Sequence, residues 1–339
     1  MTQNNKVILI TGCAGFIGSA LAIKFLKENF KVIGVDNLNS YYDKNLKIAR
    51  LKEIENLSLR NKYKWDFLKC SIDDIGKINK LFSDKKPNLV INLAAQAGVR
   101  YSIDNPNAYF QSNLNGFFNV LENCKTYKVD HLVYASSSSV YGSNKEYPFS
   151  ENHIINKPLS FYAATKISNE MMAYSYSNIY KIPMTGLRFF TVYGPWGRPD
   201  MAPMIFSSKI LSKKAISVYN YGKMSRDFTY ISDIVEGTYL CTLKTPSLKD
   251  ELDSIGYQVP HKIFNIGFGE PINLEYFIQL LEESLSIKAI KNYEPIQAGD
   301  VEKTFADTSQ LEKWIGYKPK VNIEYGVKQF AEWFMKYYS

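Results

Sequence analysis

Short runs of Val, Ile and Leu alternate with longer amphipathic stretches through the first half of the chain. Runs at residues 6–11, 31–36, 88–93, 131–136 and 183–188 are nearly continuous in apolar residues. That is the pattern of strands buried on both faces of a parallel sheet. Residues 63–66 form a weaker candidate between the second and third runs. Helical periodicity fills the gaps, notably at 16–28, 73–82, 107–127 and 160–180. Alternation of this kind predicts an α/β fold built on a doubly wound parallel sheet.

After Thr191 the texture changes. Residues 194–200 read Gly-Pro-Trp-Gly-Arg-Pro-Asp, a breaker-rich loop. Shorter mixed elements follow: a helix near 202–213, a strand around 216–219, a helix near 274–285 and an amphipathic segment at 325–338. There is no internal repeat and no low-complexity linker, so the second half reads as a smaller lobe with a soft boundary.

Composition narrows the class. The 339 residues are 45% hydrophobic, ample for a large core. No apolar run reaches the roughly 20 residues needed to span a bilayer, and the first residues lack a signal-peptide layout, so a cytoplasmic protein is expected. Cys13, Cys70, Cys124 and Cys241 show no paired spacing, and His131, His153 and His261 form no ligand pattern. Neither a disulfide framework nor a metal site is expected; buried thiols are. The net charge of +8 is scattered rather than blocked. It predicts a solvated surface with some attraction for anionic ligands, and no nucleic-acid partner.

The first run leads into Gly12-Cys13-Ala14-Gly15-Phe16-Ile17-Gly18 and then a helix. Glycines at these places allow a tight turn and close approach of backbone to a pyrophosphate, while the helix N-terminus offers free N–H groups. The next run ends at Asp36, about twenty residues on, where a carboxylate accepts from a ribose 2′-hydroxyl and repels a 2′-phosphate. NAD rather than NADP follows. Asn37 and Asn39 offer further ribose or adenine contacts or cap the next segment, and Asp66 with Phe67 is expected to embrace the adenine. A strand-end aspartate is equally a routine helix cap.

The run ending at Ser136 continues as Ser137-Ser138-Ser139-Val140-Tyr141-Gly142, hydroxyls placed where open α/β sheets bind ligands. Spacing does not settle which serine leads. Tyr162 and Lys166, four apart, share one helix face. The cation favours the phenolate, bringing a phenol toward use as a base near neutrality. A phosphate-cradling loop followed by such a pair suggests hydride chemistry on a hydroxyl group.

With these motifs, residues 6–319 resemble the extended short-chain dehydrogenase/reductases, within them the nucleotide-sugar 4-epimerases, and most the UDP-glucuronate 4-epimerases. The general motifs are the glycine loop, Asn92-Leu93-Ala94-Ala95, the Ser-Ser-Ser-Val-Tyr-Gly turn and Tyr-x-x-x-Lys. The subgroup motifs are residues 96–102 (Gln-Ala-Gly-Val-Arg-Tyr-Ser) and 187–202, which carry Arg188 and Arg198. The resemblance implies an NAD-binding Rossmann domain over 1–190 and a mainly nucleotide-sugar-binding domain over 191–339, with some chain crossing between them. Leu93, Ala94 and Ala95 would line the cofactor.

It also implies roles. Tyr162 acts as base on the sugar 4-hydroxyl, Lys166 tunes it and bonds the nicotinamide ribose, and Ser137 bridges to the developing ketone, with Ser138 and Ser139 beside it. The related 4,6-dehydratases carry an Asp-Glu pair where this chain has Ser138-Ser139, which disfavours water loss. Arg198, Thr191, Gln96 and Arg100 would hold a uronate carboxylate; Arg226 would contact phosphate, Asp300 the ribose, and Tyr219 with Asn220 the uracil. Tightly held NAD, a UDP-sugar substrate and a homodimer through a four-helix interface are expected, with isomerisation of UDP-glucuronate to UDP-galacturonate as the reaction. Rivals are a UDP-glucuronate decarboxylase, a UDP-hexose or UDP-N-acetylhexosamine epimerase and, from another class, a non-catalytic NAD sensor.

Overall fold

The structure is a computed structural model describing residues 6–250, 256–297 and 299–338. Its elements run β1 (Val7–Thr11), α1 (Phe16–Lys27), β2 (Lys31–Asp36), α2 (Lys44–Asn61), β3 (Trp65–Lys69), α3 (Ile75–Lys85) and β4 (Leu89–Asn92). Short helices α4 (Tyr101–Asp104) and α5 (Pro106–Tyr109) lead through a π-turn at Phe110–Asn115 into α6 (Gly116–Thr126). Then come β5 (His131–Ser137), α7 (Phe161–Tyr180), β6 (Met184–Phe189), β7 (Thr191–Tyr193), α8 (Ala202–Leu211), β8 (Ile216–Tyr219) and β9 (Ser225–Tyr230). The chain closes with α9 (Ile231–Leu243), β10 (His261–Ile266), β11 (Pro271–Asn273), α10 (Leu274–Leu285), β12 (Lys291–Glu294), α11 (Ser309–Ile315) and α12 (Ile323–Tyr338).

A seven-stranded sheet in the order β10-β6-β5-β4-β1-β2-β3 is parallel throughout. Its central strands are apolar because helices cover both faces: every residue of β4 and β6 is buried. The sheet reverses direction of growth between β1 and β4, and the crevice at the carboxyl ends there is where such folds hold ligands. Three-stranded β11-β9-β7 and two-stranded β12-β8 build the smaller lobe, with Phe228 and Phe277 stacked at 4.3 Å in its core. Among the described residues, no helix is long and apolar enough to cross a membrane.

Three elements depart from expectation. β3 starts at Trp65 because Lys62, in the left-handed region, caps α2, and the Tyr63 amide still donates to Ser58 O at 3.0 Å. The expected strand at 63–66 therefore begins two residues later and ends nearer the ligand crevice. The seventh strand, β10, comes from the second half of the chain and pairs with β6. Its polar Lys262 and Asn265 hid it from a search for apolar runs. Neighbouring α9 packs on α1, with Lys24 and Glu236 paired at 3.0 Å and the Phe25 and Tyr239 rings 5.1 Å apart.

The single helix expected at 107–127 is instead broken by the π-turn. Asn113, carried on that turn, accepts from Gln96 N at 2.8 Å and donates to Gln96 O and Thr165 Oγ1, both at 3.0 Å. Turns of this kind concentrate at functional sites. Here one pins the 96–102 loop to helix α7.

Candidate active site

A cavity of about 430 Å³ opens along the carboxyl ends of the strands, between the sheet and the smaller lobe. Gly12, Gly15, Phe16, Ile17 and Gly18 line one end, with Asp36, Asn37, Asn39, Leu93, Ala94 and Ala95. Gly12 sits at φ +72°, and a Cβ there would fall 2.8 Å from Ala94 N. Glycine is therefore required for the β1 turn to pass under the 93–95 strand exit. Thr11 locks that approach: its hydroxyl donates to Asn92 Oδ1 at 2.7 Å and accepts from Ala94 N at 3.1 Å. Helix α1 starts at Phe16 with no side-chain cap, leaving its first N–H groups facing the cavity. A cradle open only to glycine, beside uncapped amides and a strand-end carboxylate, fits a dinucleotide.

Asp36 accepts from Ala14 N at 3.1 Å and Leu38 N at 2.8 Å, so its carboxylate faces the loop as well as the cavity. Asp66 and Phe67 do not reach the cavity. Asp66 pairs with Lys85 at 2.9 Å on the outer face of the edge strand, and Phe67 is exposed beside it. Because β3 extends to Lys69, the residues at its carboxyl end are Cys70, Ser71 and Ile72, and these line the cavity. Ser71 and Ile72, not Asp66 and Phe67, stand at this end of the cavity. Tyr41, Tyr42 and Lys47 also line this end and went unremarked in the sequence. Their signal was position, directly after the strand-end aspartate.

At the centre, β5 delivers Ser137 to the cavity, where its hydroxyl caps the following turn and bonds Ser139 Oγ at 3.1 Å. Ser160 caps α7 by accepting from Ala163 N at 3.1 Å, which orients the first turn carrying Tyr162. Tyr162 meets the Ser137 hydroxyl; loss of water raises its pKa, opposed by the Ser137 hydrogen bond and by Arg198. Lys166 is 4% exposed and donates to Ala135 O at 2.8 Å, with its ammonium 5.9 Å from the Tyr162 ring centre. Burial lowers its pKa to about 8, with Glu170 pulling the other way. The one-face reading of the pair holds. Burial is the largest influence on the phenol and raises it, with the Ser137 hydroxyl and Arg198 opposing.

Beneath this trio lies a buried polar network. Glu170, on the same helix, receives Arg188 Nε at 2.9 Å and Nη2 at 2.8 Å, and the Ser136 hydroxyl at 2.5 Å. Arg188 also donates to Tyr141 OH at 2.9 Å, and Tyr141 to Asn265 Oδ1 at 2.6 Å. Helix α7, the serine turn and strands β6 and β10 are thereby held in one register.

On the far side, Gln96, Ser138, Ser139, Thr191, Arg198 and Arg226 line the cavity. Arg198 is gripped by Asp200 through Nε at 3.1 Å and through Nη2. Arg100, Tyr219 and Asp300 stand outside the lining, engaged with one another at the mouth. Arg226 donates to Asp300 at 2.7 Å, Arg100 lies 3.7 Å from the same carboxylate, and its guanidinium stacks 5.0 Å from the Tyr219 ring centre. The pairing follows from charge: two arginines converge on one acid, and one of them also stacks on Tyr219.

A parallel doubly wound sheet with a glycine loop, a strand-end serine and a Tyr-x-x-x-Lys helix at one cavity defines an extended short-chain dehydrogenase/reductase. The chain belongs to the family described as GDP-mannose 4,6 dehydratase, whose model matches residues 9–330. It is 48% identical over 98% of its length to protein CapI of Staphylococcus aureus, covering 99% of that protein. It is 41% identical to a probable UDP-glucuronate 4-epimerase of Rhizobium meliloti, covering 97% of each chain. It superposes with TM-score 0.86 and 32% identity on a UDP-glucuronic acid 4-epimerase from Bacillus cereus solved with UDP-glucuronic acid and NAD, over 98% of this chain and all of that one.

Proposed function

We propose that this protein is an NAD-dependent UDP-sugar 4-epimerase whose substrate is UDP-glucuronate, converted to UDP-galacturonate. The observation that carries this reading is the meeting of Ser137, Tyr162 and Lys166 at a cavity whose opposite wall holds Arg198. NAD, which the glycine loop, Asp36 and Lys166 would hold, would supply reversible hydride acceptance at carbon 4 of the sugar. Tyr162 removes the 4-hydroxyl proton and later gives it back. Ser137 donates to the oxygen as it becomes a ketone. Lys166, fixed on Ala135 O, presents its remaining protons to the ribose beside Tyr162. Ser138 and Ser139 are neutral, so elimination of water, which needs an acid and a base there, is not supported despite the family's name.

Residues 1–190 serve the dinucleotide and residues 191–339 mainly the nucleotide sugar, with β10 crossing back. Arg226 and Asp300 meet the UDP portion once their mutual pair opens. The rim position of Arg100 and Tyr219 suits contact with the outer end of the nucleotide. Two copies assemble through the faces of the π-turn, α6 and α7, where Phe110, Phe118, Met171, Ile179 and Tyr180 stand exposed in one chain. Four buried free cysteines suit a reducing compartment, the cytoplasm.

Incubation with UDP-glucuronate, followed by proton NMR, tests the reading. UDP-galacturonate is the expected product. Turnover of neutral UDP-hexoses alone, a UDP-pentose as the main product, or no turnover at all overturns it.

A further inference from the structure

Oxidation of a uronate at carbon 4 creates a β-keto acid, and such acids lose carbon dioxide when the breaking bond aligns with the ketone π system. An epimerase for this substrate must therefore hold the carboxylate in a fixed place, so that the carbon 5–carboxylate bond stays near the ketone plane. Resting on the function proposed above, we propose that Tyr41 and Asp200 are positioning residues that lock Arg198 for this purpose. The Asp200 carboxylate takes Nε and Nη2 of Arg198 together, leaving Nη1 as the nitrogen free of that grip. The Tyr41 hydroxyl donates to Asp200 Oδ2 at 3.1 Å, from a chain position 159 residues away.

Tyr41 is itself confined. Its ring packs 4.8 Å from that of Tyr101, and its hydroxyl rests against Gly98, at φ +104°, where a Cβ would lie 2.8 Å away. The Tyr109 hydroxyl bonds the Ala97 and Gly98 carbonyls at 3.0 and 2.5 Å, fixing that stretch against Tyr41. Nine residues on, buried Arg50 fastens the backbone just before Arg198: it donates to Trp196 O at 2.6 Å and Gly197 O at 3.1 Å while also holding Ala14 O at 3.0 Å. The segment following the strand-end aspartate thus grips both the main chain and the guanidinium of the 194–200 loop. A bidentate carboxylate is the partner that best fixes a guanidinium plane.

Without the lock the carbon 5–carboxylate bond of the 4-keto sugar can turn parallel to the ketone π system. That bond then breaks, its electron pair enters the enolate, carbon dioxide departs and a proton from water returns to carbon 5. The product is a 4-keto pentose, which leaves or takes the hydride back.

The test compares wild type, Tyr41→Phe and Asp200→Asn on UDP-glucuronate, reading released carbon dioxide and the pentose-to-galacturonate ratio. Tyr41→Phe should raise that ratio roughly tenfold, the scale of one hydrogen bond to a charged group, and Asp200→Asn more. A structural role alone would slow both products together and leave the ratio unmoved. An unchanged ratio in Asp200→Asn overturns the proposal, and an unchanged ratio in Tyr41→Phe alone removes the tyrosine from it. A wild type that does not epimerise UDP-glucuronate fails at the earlier step, and that outcome is distinct because the ratio is then undefined.

Discussion

The two ends of the cavity are built from different materials. The cofactor end is mostly main chain: the Gly12 turn, the uncapped start of α1 and the 93–95 strand exit are set by sheet geometry. The substrate end is made of long charged side chains that pair with one another, Arg198 with Asp200 and Arg226 with Asp300. Backbone amides recognise a constant pyrophosphate with no reorganisation. The Arg226–Asp300 pair can be exchanged for a ligand, whereas the Arg198–Asp200 pair, braced by Tyr41, keeps its guanidinium still; together they suit the part of the molecule that distinguishes sugars. The central trio sits between the two and borrows from both, with Lys166 held by a carbonyl and Tyr162 by a hydroxyl.

The largest expected effect falls on that centre. Tyr162→Phe should lower kcat by about 10²–10⁴-fold while leaving UDP and NAD binding near wild type, because it removes only the proton carrier. Isothermal titration beside turnover assays checks this, and near-normal kcat would remove Tyr162 from the mechanism.

Next comes the buried network below it. Glu170→Ala leaves the Arg188 guanidinium uncompensated and should cost about 3–5 kcal/mol of folding stability. Denaturant unfolding measures it. A cost under about 1 kcal/mol would mean that water enters to serve Arg188, and that the register of α7 rests on packing alone.

An intermediate effect is expected with pH. Burial brings Lys166 to about 8, and the form that donates to Ala135 and the ribose is the ammonium, populated below that value. Turnover should accordingly fall as pH rises through about 8. A rate profile flat to pH 10 would contradict the assigned role of Lys166.

The smallest change belongs to the mouth. Asp300→Asn frees Arg226 from a partly exposed pair of the kind worth only about 0–1 kcal/mol. The KM for the sugar nucleotide should move by less than about fivefold, with NAD retention unchanged. A large loss of NAD instead would show that the two ends are not built independently.

How far each end could be foreseen follows the same division. The glycine loop, Asp36, the serine turn and Tyr162 with Lys166 are legible because each is a short-range pattern on one strand–turn–helix. Ser71 and Ile72 rather than Asp66 and Phe67 reach the cavity because a helix cap at Lys62 delayed β3 by two residues. β10 was missed because its polar Asn265 belongs to the network around Tyr141. That Lys166 would anchor on the Ala135 carbonyl of β5 could not be read from the four-residue spacing, because the partner lies 31 positions away.

From the chain alone came the parallel α/β class, the order of its first strands and the serine, tyrosine and lysine that meet at the cavity. These depend on periodicity and on contacts a few positions apart, where backbone geometry leaves little choice. Only the folded molecule decided who partners whom across the cavity: Tyr41 with Asp200, Arg50 with the 196–197 carbonyls, Arg100 and Arg226 with Asp300. Each of those pairings joins residues 70 or more positions apart. Charge and reach in a shared space set them, and neither is written in local sequence.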